Sequence, residues 1–134
     1  MPLVANTTSG ALTRTRIADY IAASESVTPV TVTDAARTLT AAEVTGSKLF
    51  VCTPTAARAF TTPTAAEIIA AVSDEVVGTS FEFTIVNLAA STHAITLTAG
   101  TGVTIVGVAA VSAVTSGTFV AVVTAATTVS IYRK

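Results

Sequence analysis

One histidine, His93, and one cysteine, Cys52, are the side chains best suited to nucleophilic or proton-transfer chemistry near neutral pH. Ser91-Thr92-His93 sets two hydroxyls beside the imidazole. An activated serine, however, needs a base that a third group positions, and no carboxylate lies close by in sequence. His93 therefore reads as a surface turn residue, and Cys52, beside Phe50 and Val51, as a small hydrophobe in an apolar strand. With one of each, a His/Cys metal cluster has no ligands and a disulfide within the chain has no second sulfur. The eight acids, Asp19, Glu25, Asp34, Glu43, Glu67, Asp74, Glu75 and Glu82, are scattered, and only Asp74-Glu75 are adjacent. A calcium loop needs several oxygen ligands at tight spacing, so these acids read as solvated. Gly100-Thr101-Gly102 has the composition of a phosphate loop. It joins strand to strand without the helix N-terminus and lysine of such a loop, and is expected to be a hairpin turn. No catalytic, cofactor-binding or metal-binding residue is predicted, and no cofactor.

The framework that carries these side chains has a biased composition. Ala 26, Val 19 and Thr 27 make up more than half of the 134 residues, charged residues are 11% and hydrophobic ones 51%. The charged share is far below the roughly 25% of an ordinary domain, and the apolar share excludes a disordered chain. The length suits one domain. Seven basic groups against eight acidic ones, with no Lys/Arg stripe, remove the electrostatic footprint of nucleic-acid binding. Met1 to Asn6 lacks the basic start and apolar run of a secretory signal, so synthesis and retention in the cytoplasm are expected. From Phe83 to Tyr132 there is no Asp, Glu, Lys or Arg, and Val103 to Val123 could as a helix cross about 30 Å of hydrocarbon. Thr115-Ser116-Gly117-Thr118 interrupts that stretch, and Val and Ile alternating with Thr suit strands, so buried sheet is predicted and no membrane partner.

From Phe81 onward the hydrophobic period is two. Phe81, Phe83 and Ile85 alternate with Glu82 and Thr84, Ile95 and Leu97 with Thr96 and Thr98, and turn signals recur every 8 to 12 residues or so. Lys48–Cys52 and Arg58–Thr61 read as a pair of strands around Thr53-Pro54-Thr55. Val120–Val123 is apolar on both faces, one for the core and one for a second sheet or a neighbouring subunit. Thr64 with Glu67 has capping-box spacing ahead of Ile68, Ile69 and Val72, which predicts a helix. Ile17, Tyr20 and Ile21 share one helical face within residues 14 to 23, and Val27, Val30 and Val32 look extended. Thr-Ala-Ala at Thr40, Thr55, Thr64 and Thr124 is unequally spaced and reads as composition, not as a repeat. The fold class expected is mainly β: an antiparallel β-sandwich or jelly-roll-like barrel with one or two short helices. Residues 1–36 are expected to form an N-terminal arm with a short helix and residues 37–134 the sandwich. The core is expected to hold Phe81, Phe83, Ile85, Ile95, Leu97, Ile105, Phe119 and Ile131.

Arg37-Thr38-Leu39-Thr40-Ala41-Ala42-Glu43, Gly46-Ser47-Lys48-Leu49-Phe50-Val51 and Arg58-Ala59-Phe60-Thr61-Thr62-Pro63, with the later Val77–Asn87, Ile95–Gly107 and Thr115–Phe119 segments, resemble small β domains of tailed-bacteriophage structural proteins. The resemblance runs from Arg37 to Tyr132, with Thr62 where the pattern more often has Leu. It implies a non-enzymatic virion protein, either a capsid decoration (cement) protein or part of a tail fibre. A chain without a long shaft favours decoration: a homo-oligomer, with a trimer favoured, that binds the major capsid protein and stabilises the head from the capsid surface. A tail fibre or receptor-binding tip domain is the alternative. A carbohydrate-binding sandwich is weakened by the absence of Trp and the presence of only Tyr20 and Tyr132.

Overall fold

A computed structural model describes residues 27, 29–46, 48–72 and 77–134 of the chain. The expected arm and its helix around Ile17, Tyr20 and Ile21 lie outside the described residues. Among the described residues ten strands and two short helices follow in order: β1 (Pro29–Thr31), β2 (Arg37–Thr38), α1 (Ala41–Thr45), β3 (Leu49–Cys52), β4 (Arg58–Thr61), α2 (Ala65–Ala71), β5 (Ser80–Asn87), β6 (Ile95–Thr98), β7 (Val103–Val106), β8 (Ala110–Val111), β9 (Thr115–Ala125) and β10 (Thr128–Arg133). They form a six-stranded sheet in the order β1-β3-β5-β9-β10-β7 and a four-stranded sheet in the order β2-β4-β6-β8. The protein is thus mainly β with two sheets and short helices, and the Val103–Val123 stretch is strand and turn. No helix among the described residues is long and apolar enough to cross a membrane.

Strand pairing departs from the antiparallel expectation. Up to β8 the chain changes sheet after every strand, so β1, β3 and β5 run parallel in one sheet and β2, β4 and β6 parallel in the other. Antiparallel pairing is confined to β5–β9, β9–β10 and β6–β8, and β10–β7 is again parallel. The reason lies in the connections. Thr53–Ala57 after β3, like residues 32–36 after β1, arches the chain over to the opposite sheet, so the flanking strands face each other through side chains instead of sharing backbone hydrogen bonds. Ala99–Gly102 likewise joins β6 to β7 across the sheets and is not a hairpin turn. Turn spacing and period two are identical for a hairpin and an arch.

The arches generate a repeat. β1–β2–α1 and β3–β4–α2 are two copies of one unit, and β5–β6 a third without a helix. In-register partners run Pro29–Leu49–Thr84 in the larger sheet and Thr38–Thr61–Thr98 in the smaller, where the Thr61 and Thr98 hydroxyls are 2.8 Å apart. Thr40 and Thr64 are equivalent positions. Each accepts from the backbone N–H of Glu43 or Glu67, and each glutamate accepts in return from the cap backbone. Two of the four Thr-Ala-Ala runs are therefore a structural repeat, distinguished from the others by the acid that follows. Residues 29–36 belong to the same body: β1 pairs with β3, and Val32 is in the core. The boundary expected at residue 37 thus falls inside the first unit. A three-residue strand is too short to display a period, and its Pro29 is tolerated because β1 is at a sheet edge.

Between the sheets, Phe50, Phe83, Ile85, Phe119, Ala121 and Ile131 meet Phe60, Ile95, Leu97 and Val111, and Val44 and Ile68 bring the helices into the same core. Phe83 lies edge-on to Phe50, with centroids 6.2 Å apart, and stacked on Phe119 at 5.5 Å. Of the eight expected core residues six are buried, while Phe81 and Ile105 pack against the cluster partly exposed.

Candidate functional site

The chemistry-bearing residues are dispersed among structural duties. Cys52 is buried on β3, 3.9 Å from the Thr33 carbonyl, and burial, followed by the nearby Asp34 charge, raises its pKa. Its thiolate, the nucleophilic form, is disfavoured. His93 is half-buried in the connection between β5 and β6, where its carbonyl accepts from Asn87 Nδ2 at 2.8 Å and its N–H donates to the Ser91 carbonyl.

Asp34 ties the first arch to the second. Its carboxylate accepts from Arg58 Nε at 2.6 Å, Thr55 Oγ1 at 2.6 Å and the Thr55 N–H at 3.1 Å, and the Arg58 and Thr55 side chains hold its pKa down to about 2. Glu43 is also lowered. Partial burial works against this, but the Thr40 N–H and the Arg37 guanidinium, 2.8 Å from both carboxylate oxygens, outweigh it. Among the described residues no three His, Cys, Asp or Glu side chains gather as a metal site would require. An open depression of about 420 Å³ lies between the helix starts, lined by Thr38, Leu39, Thr40, Ala41, Pro63 and Glu67. Its single ionisable group, Glu67, is committed to the α2 cap.

Two residues do more than their sequence context suggests. Asn87, fully buried, donates to the His93 and Val111 carbonyls at 2.8 and 2.9 Å and accepts from the Ala89 N–H at 2.9 Å, fastening the loop after β5 to β8. In sequence it is a turn-forming asparagine like any other. Arg133, next to Lys134 in sequence, lies over the Phe119 ring at 5.4 Å. Its Nη1 donates to the Val108 and Ala110 carbonyls.

The surface with the most distinctive make-up is the outer face of the six-stranded sheet. Register places its side chains in rows: Leu49, Thr84 and Thr118; Val51, Val86 and Ser116; Glu82, Val120, Tyr132 and Val106; Ser80, Val122, Ser130 and Thr104. The inner positions between them are the buried ones, from Phe50 to Ile131. Among the described residues two charges stand on this face, Glu82 and Lys134, in an exposed ion pair of 2.8 Å. The two-faced character read for Val120–Val123 is thus realised as Ala121 and Val123 inward and Val120 and Val122 outward. Comparison with protein-family models, curated proteins and solved structures finds no match for the chain.

Proposed function

We propose that the chain is a non-enzymatic virion structural protein: a capsid decoration protein that associates with copies of itself and binds the major capsid protein, stabilising a phage head from its outer surface. The observation that carries this reading is the outer face of the six-stranded sheet, on which aliphatic and hydroxyl side chains alternate around a single ion pair. Such a face is buried against a protein neighbour at small desolvation cost, since few charges lose water. That face serves the association of copies with one another, and the resemblance to phage β domains supplies the capsid as the further partner. Quantitative mass spectrometry of purified particles tests the proposal. Decoration requires hundreds of copies per particle and rebinding of the purified protein to heads that lack it. A handful of copies at the tail would replace it by the tail fibre reading.

A further inference from the structure

We infer that the outer face of the six-stranded sheet is the contact between two copies of this chain, packed face to face about a two-fold axis. Leu49, Val51, Val86, Val120 and Val122 project from this face half-buried, and Tyr132 and Val106 project exposed. Among the described residues nothing in the chain covers them. The aliphatic side chains form two groups, Leu49 with Val51 and Val86, and Val120 with Val122, Tyr132 and Val106, separated by Thr84 and Thr118, and a charge-poor sheet face of this make-up is buried against a protein at small desolvation cost. Its size matches the need. Six strands of three to eleven residues, at about 3.3 Å per residue and about 4.8 Å between strands, give a flat face of roughly 600 Å². The accessible area of its corrugated side chains is larger, and a standard interface takes about 800 Å² per partner.

Charge narrows the choice of occupant to one as poor in charge as the face itself, and a second copy is such a partner. Among the described residues the face carries one acid and one base, adjacent and both well exposed, at 48% and 64% of their side-chain surface. A two-fold operation running near them sets Lys134 of each copy beside Glu82 of the other, so neither charge is buried unpaired and no like charges meet. A strongly acidic or basic partner would strand one of the two. Sheet faces stacked at about 10 Å, each filling the ridges of the other, are the ordinary geometry of sandwich packing. The contact is isologous and closes at two copies, whereas three-fold association would need a second, heterologous surface.

The pairing goes beyond the capsid reading and is tested without capsids, by sedimentation of the full chain across micromolar to submillimolar concentrations. The mass expected is twice 13.4 kDa. Val122→Glu, with its thermal melt confirming a folded chain, is expected to sediment as one chain. Two charge variants separate contact between copies from the ion pair within one. Lys134→Glu leaves the face doubly acidic and Glu82→Lys leaves it doubly basic, so each alone is expected to weaken pairing at least about tenfold through like-charge contact. An equimolar mixture restores a two-chain mass, because only the mixed pair matches opposite charges. A wild-type chain that sediments singly throughout or as a trimer overturns the inference. So do a Val122→Glu chain that stays paired and a mixture that stays single. Head binding by a single-chain variant would uphold the capsid reading while separating it from the pairing.

Discussion

Phe83 shows how far one side chain is constrained by its neighbours. It is 1% exposed, stacked on Phe119 and edge-on to Phe50, and the core around it comes from both sheets. Phe83→Ala is expected to destabilise by about 3–5 kcal/mol, read as a lower denaturant midpoint at unchanged slope. Val114 has the opposite sign. It is β-branched, 73% exposed, and held at φ +59 at the entry to β9, a conformation that costs such a residue about 1–2 kcal/mol. Val114→Asn, which tolerates that backbone, is expected to raise the melting temperature by recovering about 1 kcal/mol. Asp34 makes stability depend on acid. With its pKa at about 2 in the folded chain against an ordinary 3.8, its contribution is fully present above pH 4 or so and is lost as pH falls through 3.8 toward 2. The acid limb of a melting-temperature profile between pH 2 and 6 should therefore flatten in Asp34→Asn; an unchanged limb would show that other carboxylates carry it.

At the scale of elements, the two helices are too short to persist alone and are held by their caps and by one buried stripe each. Because Thr40 and Thr64 occupy equivalent places in two copies of one unit, Thr40→Ala and Thr64→Ala are expected to cost similar amounts, about 1 kcal/mol each, by chemical denaturation. A large disparity would show that the caps are alike in geometry but not in load. The Thr64–Glu67 box was legible from spacing alone, since a capping box is a local pattern. The Thr40–Glu43 box has the same spacing but only Val44 as a buried residue behind it, and a single apolar residue does not mark a helix in sequence. Gly117 illustrates what local pattern omits. A Cβ there would fall 2.8 Å from Val111 and 2.9 Å from the Arg133 guanidinium, so glycine near the start of β9 is what lets Arg133 lie across Phe119.

For the whole molecule, alternation of apolar and hydroxyl residues along the strands determined by itself that the chain is mainly β and that Phe83, Ile85, Ile95, Leu97, Phe119 and Ile131 face the core, because a period of two assigns a side chain to a face whatever strand lies alongside. Composition by itself determined that the outward positions would carry few charges. Far-UV circular dichroism dominated by β signal, with a minor helical component, is the matching expectation. Only the tertiary structure decided which strands are neighbours. A connection of five residues such as Thr53–Ala57 can reverse a strand beside itself or arch it onto the opposite sheet, and the choice depends on packing between residues far apart in sequence, such as Phe50 against Ile85 and Phe60 against Leu97. That choice made the pairing parallel, turned two runs of Thr-Ala-Ala-Glu into a repeat, and gathered Leu49, Val51, Val86, Val120 and Tyr132 onto one face with Glu82 and Lys134. These residues come from four strands far apart in sequence; the one local signal was Val120–Val123, apolar on both faces, and the rest of the surface exists only in the register of the strands.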